Sequence, residues 1–157
     1  MYLYFFDLDD TICNTLDVIT KIEQKHSINK DDFKDIEDYH ILIEEKLTDH
    51  GFDKIEPLKN STMLLLKELI RTSPEDVYYI TAREGRVREE SISWLKEHNL
   101  YLGEERLIMD TRGIKGKTIN EILSNLNGKE FAFLFDDLMD NHKEASNYKN
   151  IIACLPI

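Results

Sequence analysis

Three carboxylates follow directly on an apolar run near the start of the chain: the stretch YLYFF ends at Phe6, and Asp7, Asp9 and Asp10 come next, broken only by Leu8. A short continuous apolar run reads as a strand buried on both faces. The carboxylates then crowd a strand end, where like charges are costly unless a cation sits among them. The pattern recurs at FAFLF (131–135), which runs into Asp136 and Asp137. VYYI runs into Thr81, Ala82 and Arg83, and Lys115 and Lys117 stand at the start of a helical stretch after RLIM. Brought together, these carboxylates, the hydroxyl and an ammonium group suit Mg²⁺ and a phosphoryl group. The hard cation prefers oxygen ligands, while Lys and Thr can bind the remaining phosphoryl oxygens.

The elements that must position them alternate along the chain. Strands are expected at Tyr2–Phe6, 77–81, 106–109, 131–135 and 151–154, and helices at Leu16–His26, Asp31–His50, 61–71, Arg86–His98, Lys117–Leu126 and Asn141–Tyr148. In the second helix Phe33, Ile36, His40, Ile43 and Leu47 recur at helical spacing. Asn60 or Ser61 is placed to cap the helix that follows. Strands separated by helices of this length imply right-handed crossovers and an α/β fold, a doubly wound parallel sheet of about five strands. Ligands bind such sheets outside the carboxyl ends of the strands, where the polar residues named above fall. From Asp17 to Asn60 the chain carries 12 Asp or Glu against 7 Lys, a charge of −5, and no strand candidate. It reads as an acidic helical insert, giving a core of 1–13 and 61–157 with a small cap at 14–60.

The chain's 157 residues, 41% of them hydrophobic, suit one globular domain. No apolar run approaches the roughly 20 residues of a membrane helix, and no basic leader precedes the apolar start, so a cytoplasmic location is expected. Cys13 and Cys154 lack CxxC spacing and are expected as buried reduced thiols. The five histidines show no metal-ligand spacing, and GIKGKT lacks the first glycine of a Walker loop, since Thr111 stands there. A net charge of −11 repels polyanions, which disfavours extended nucleic-acid binding but leaves room for one phosphate in a local basic pocket.

Taken in order, DLDDT (7–11), the strand ending at Thr81, KGKTINEIL (115–123) and FLFDD (133–137) resemble the four motifs of the haloacid dehalogenase-like (HAD) superfamily. The resemblance implies Asp7 as nucleophile and Asp9 as acid/base, the latter a mark of the phosphatase members. It implies Thr81 and Lys115 as phosphate ligands, with Lys117 the alternative lysine, and Thr11, Ala82 and Arg83 beside the substrate. Mg²⁺ would be held by Asp7, Asp9 and Asp137 with Asp136 in support. Where the family often has a further Asp, this chain has Asn141, with Asp140 beside it. Neighbouring carboxylates are expected to raise the pKa of Asp9 into the range of its two roles.

Three functions follow. The first is a Mg²⁺-dependent phosphomonoesterase acting on a small phosphorylated substrate. The stretch ITAREGRVREESISWLKEH resembles both 5′-nucleotidase relatives and the phosphatase domain of polynucleotide kinase-phosphatases, so a nucleotide phosphate is the common denominator. The second is therefore processing of a 3′-phosphate end of a nucleic acid. The third is a binding protein without catalysis on the same fold.

Overall fold

The computed structural model describes residues 2–126 and 131–157. Five strands, β1 (Tyr2–Phe6), β2 (Val77–Ile80), β3 (Leu107–Ile108), β4 (Phe131–Phe135) and β5 (Ile151–Cys154), form one parallel sheet in the order β3-β2-β1-β4-β5. The chain steps outward from β1 to β2 to β3, then crosses back to place β4 on the other side of β1. This reversal makes the β1/β4 boundary the topological switch point of a doubly wound sheet, the place where strand ends splay to leave a crevice.

Helices cover both faces. The apolar run of β1 divides by its period of two: Tyr4 and Phe6 join the core on one face with Met63, Leu66, Trp94 and Leu95, while Leu3 and Phe5 join that on the other with Ile119, Leu123 and Ala145. The helices are α1 (Thr15–His26), α2 (Ile36–His50), α3 (Ser61–Thr72), α4 (Arg88–Glu97), α5 (Lys115–Asn125) and α6 (Met139–Ala145). Aromatic pairs lock β1 to β4 in register, with Tyr4 stacked on Phe133 and Phe6 on Phe135, the latter at 4.7 Å between ring centres. Among the described residues, no helix is long and apolar enough to cross a membrane.

Several expected boundaries shift for local reasons. The second helix starts at Ile36, not Asp31, because Asp35 is extended and its side chain accepts from the Glu37 N–H, while Asn29 caps a separate turn at Lys30–Asp32. Its buried face is Tyr39, Ile43 and Leu47, with Ile36 exposed. The RLIM strand shrinks to Leu107–Ile108 at the sheet edge, since Arg106 belongs to the preceding turn and Asp110 takes a positive φ. The α4 stretch opens with a tight turn at Gly85–Val87, and the last helix runs from Met139 to Ala145. The helix expected from Lys117 starts at Lys115. Asn60, not Ser61, caps α3, its side chain accepting from the Met63 N–H. Cys13 is buried and free as expected, whereas free Cys154 is only partly covered.

The segment 14–60 leaves and rejoins the sheet through a narrow neck. Cys13 pairs antiparallel with Pro57, the Asn14 N–H donates to the Glu56 carbonyl and the Leu58 N–H to that of Ile12. Its helices do not stand apart: Val18, Ile22, Tyr39, Ile43 and Leu47 continue the apolar cluster of the sheet face bearing Phe6. The Trp94 indole N–H donates to the Ile55 carbonyl and ties the returning chain to α4. Of the expected core span, residues 1 and 127–130 lie outside the described residues.

Candidate active site

The register of β1 and β4 builds the centre of the site. Phe6 and Phe135 are paired, and the ladder continues one residue further, the Asp7 N–H donating to the Phe135 carbonyl. Asp7 and Asp136 are therefore set side by side at the switch point. Lys115, the first residue of α5, reaches between them. Its ammonium lies 2.8 Å from Asp7 Oδ1 and 2.6 Å from Asp136 Oδ2, with all three side chains almost wholly buried.

Gly116 explains how α5 can deliver that lysine. A Cβ there would lie 2.7 Å from the Ala145 Cα, so only glycine lets the start of α5 pack on α6. The Glu144 carboxylate accepts from the Gly116 and Lys117 N–H groups, satisfying two of the donors that a helix start leaves open. Lys117 itself lies exposed near Glu121 and is not brought to the aspartates.

Asp136 is held from every side. Its carboxylate accepts from the Leu138 N–H, the Asn141 side-chain amide and Lys115, and its backbone carbonyl lies 2.7 Å from His142 Nε2. Asp137 is half-buried beside it, and one oxygen from each of Asp7, Asp136 and Asp137 lies within 4.8 Å of the others. Asp140 points away, highly exposed and paired with Lys143.

Burial drives the Asp7 carboxyl up to about 8; Lys115 pulls it down, while Asp136 and Asp9 push it further up. Burial, with Asp136 and Asp10, raises Asp137 to about 6. Burial opposes the Lys115 charge, but Asp7 and Asp136 outweigh it and raise the ammonium above its ordinary value. When all are ionised, three carboxylates face one ammonium. The surplus of two negative charges, all on hard oxygen donors, fits a divalent ion such as Mg²⁺. Asp7 and Asp137 would supply ligand oxygens, with Asp136 beside them.

Asp9 stands apart from this cluster. Its carboxylate takes Nε and Nη2 of Arg83, the closest contact 2.6 Å, and the Thr15 hydroxyl, also at 2.6 Å. Burial acts to raise Asp9, but the Arg83 charge and hydrogen bonds, with that of Thr15, hold it below the ordinary carboxylate range. This corrects the expectation that neighbouring carboxylates raise it: the nearest strong charge is a cation. The side chain of Asp9 is also absent from the three-carboxylate group expected to include it as a metal ligand.

Arg83 is correspondingly committed. Besides Asp9 it donates to the Ser91 hydroxyl, and its guanidinium sits 5.1 Å over the Phe52 ring. It is a buried clamp on Asp9 that also borders the cavity beside it. The Thr81 hydroxyl, wholly buried at the end of β2, accepts from the Arg83 N–H and keeps its own proton to donate. Thr111 bonds the Thr81 carbonyl through both its N–H and its hydroxyl, fixing the turn that carries Ala82. The Thr11 hydroxyl is buried without a partner among the described residues, while the Thr11 carbonyl accepts from Asn60.

Sequence reasoning missed Thr15, Ser91 and Phe52, which fix Asp9 and Arg83. Ser91 lies within the ITAREGRVREESISWLKEH stretch, eight residues after Arg83, and Phe52 lies in the helical insert, but nothing in their spacing marks either as a partner of Arg83. Asn141, which stands where the resemblance places a further Asp, bonds the Asp136 carboxylate.

Between α2 and this edge lies a cavity of about 360 Å³ whose lining includes Asp9, Ala82 and Arg83. A scan against models of protein families matches none to this chain, and a search of curated proteins returns no match.

Proposed function

We propose that the chain is a Mg²⁺-dependent phosphomonoester hydrolase of HAD type, working through an aspartyl-phosphate on Asp7 and acting on a nucleotide-type phosphate. The observation that carries this reading is the Lys115 ammonium bridging Asp7 and Asp136 at the switch point, with Asp137 alongside and Asp9 two residues beyond Asp7.

A phosphate monoester repels anionic nucleophiles, so its cleavage needs charge neutralisation, in-line positioning and a proton for the leaving oxygen. Mg²⁺, held by Asp7 and Asp137, would supply positive charge to neutralise the phosphoryl group. An Asp7 oxygen forms a bond to phosphorus as the bond to the leaving oxygen breaks, and Asp9 gives that oxygen a proton. Water then attacks the aspartyl-phosphate, Asp9 takes a proton from it, and Asp7 is released with inorganic phosphate. Lys115 and the Thr81 hydroxyl hold phosphoryl oxygens. Arg83 keeps Asp9 oriented and, without substrate, ionised; the arriving dianion raises its affinity for a proton.

The net charge of −11 supports a small phosphorylated substrate over a polymer, and the ITAREGR resemblance supports a nucleotide. The buried free thiol of Cys13 supports a reducing, cytoplasmic setting. A hydrolysis screen with and without Mg²⁺ tests the proposal, using 5′- and 3′-mononucleotides, sugar phosphates and 3′-phosphorylated oligonucleotides. Mg²⁺-dependent release of phosphate from mononucleotides is expected. Cleavage of the oligonucleotide alone would favour end processing, and no release from any substrate by folded protein would favour a binding protein.

A further inference from the structure

The two edges of the sheet are built differently. At the β3 edge the strand has only two residues, its outward Leu107 carbonyl accepts from Arg88 Nη2 at 3.3 Å, and the Arg106 guanidinium beside it lies over Tyr78. Short length and flanking charge are how proteins blunt an edge against pairing with another chain. The β5 edge has no such guard among the described residues. In a chain that is 32% charged, residues 151–157 (IIACLPI) carry no charged side chain. The Asn150 and Cys154 carbonyls face β4, so by alternation Ala153 and Leu155 turn their N–H and C=O groups outward, as Ile151 turns its carbonyl.

The sheet face beside this edge is also bare. The helices packed on β4 and β5, α5 and α6, lie on the side of Ala132, Leu134 and Ile151. The other side carries Phe131, Phe133 and Ile152, next to Tyr2 of β1, whose ring centre lies 6.3 Å from that of Phe131 and 5.7 Å from that of Phe133. Residues 155–157 lead on to α3, where Ile157 and Thr62 exchange two hydrogen bonds. Tyr2 is 50% exposed, Phe131 39%, Ile152 46%, Leu155 52% and Ile157 80%. At roughly 200 Å² per large side chain, these fractions leave about 500 Å² of apolar surface per copy, and two such surfaces reach the roughly 1,000 Å² at which specific interfaces begin.

We infer that β5 is a dimer contact: two copies pair β5 against β5, antiparallel about a two-fold axis, and join two five-stranded sheets into one of ten strands. The occupant is a second copy because the strand complements itself. With Ala153 on the axis, the smallest side chain of the strand meets its counterpart, Ile152 faces Cys154 and Ile151 faces Leu155, and no charge is opposed to any of them. The two Ala153 residues exchange a pair of N–H···O bonds, and each Leu155 N–H donates to the Ile151 carbonyl of the other copy. The Ile151 N–H needs no partner, since it already donates to the Tyr148 carbonyl. A net charge of −11 on each copy opposes association, so the contact falls where the surface is uncharged. The pairing does not depend on the chemistry at Asp7, but it borders the site, because the Asp136 N–H donates to the Cys154 carbonyl of β5.

Sedimentation velocity on the whole chain, from about 1 to about 100 µM, should show twice the monomer mass, and added salt should favour the dimer by screening the repulsion between copies. Ile152→Lys, at a half-exposed position, and Ala153→Pro, which removes an outward N–H that β4 does not use, should each weaken the dimer at least about tenfold with the far-UV spectrum unchanged. Ile36→Lys, equally exposed on α2, should leave it intact. A bismaleimide spanning about 8 Å should link the two Cys154 side chains, which lie diagonally across the axis, and Cys154→Ser should abolish the link. A monomer at every concentration would overturn the inference. So would a dimer indifferent to both Ile152→Lys and Ala153→Pro, the absence of a Cys154 link, or an open series of larger assemblies.

Discussion

Arg83 grips both oxygens of Asp9, with Nη2 2.6 Å from Oδ1 and Nε 2.9 Å from Oδ2, across 74 residues of chain. Arg83 is almost wholly buried, so removing its partner leaves a charge without compensation. Asp9→Asn is expected to abolish turnover and to cost roughly 2 kcal/mol, below the figure for a fully buried pair because Asp9 is partly exposed. At this chain length that lowers Tm by about 4–8 °C. The folded-state pKa of Asp9 is depressed, so its contribution is present above the unfolded value and lost as pH falls through the folded one. The stability gap between wild type and variant, followed by urea unfolding, should narrow below about pH 4. A gap constant with pH would remove the ion pair as its source.

Asp7→Asn should behave differently. It removes a buried carboxylate that burial and two like charges already disfavour. Turnover should fall by at least about 10³-fold, since an amide is a poor nucleophile. Metal-free stability at pH 8 should change by less than about 1 kcal/mol, because lost repulsion offsets the lost contact with Lys115. Circular dichroism melts and a phosphate-release assay decide both parts.

Metal dependence should follow pH in a definite direction. The carboxyls of Asp7, at about 8, and Asp137, at about 6, lie above their ordinary values in the metal-free protein. Each therefore favours the folded state when protonated, and that contribution fades as pH rises through the folded pKa. Mg²⁺ binds the ionised forms, so its effect on Tm should be small near about pH 5 and largest above about pH 8. Melts in Mg²⁺ and in EDTA across this range measure it. An effect of Mg²⁺ that declines with rising pH would argue against these carboxylates as its ligands.

Gly116→Ala should destabilise the fold by about 2 kcal/mol, since the added methyl meets the backbone of Ala145 and α5 must shift. Lys115 moves with it, so kcat should fall as well. Gly113→Ala makes the control. It has a positive φ of 70° but open space around a Cβ, so it should lose only about 1 kcal/mol through backbone strain. Equal effects of the two on kcat would mean that the contact of α5 with α6 does not position the lysine.

The sequence by itself determined what is local. Apolar runs of four or five residues between helical stretches define strands, because burial on both faces needs no knowledge of the neighbours. Carboxylates at the ends of two of those runs mark the edge where chemistry can occur. Helix starts were less legible: Phe33 and Ile36 fit one phase and Tyr39 another, and the Asp35 cap decided between them. The tertiary structure alone decided pairing and partnership. The β1/β4 register put Asp7 beside Asp136, and the packing of Gly116 on α6 chose Lys115 over Lys117. Arg83 read as a substrate residue in sequence because its partner is distant in the chain; the fold closes that separation and makes the arginine a clamp. Spacing along the chain reports periodicity, but the electrostatics of a buried group depend on which charge lies within a few ångströms, and only the folded chain sets that distance.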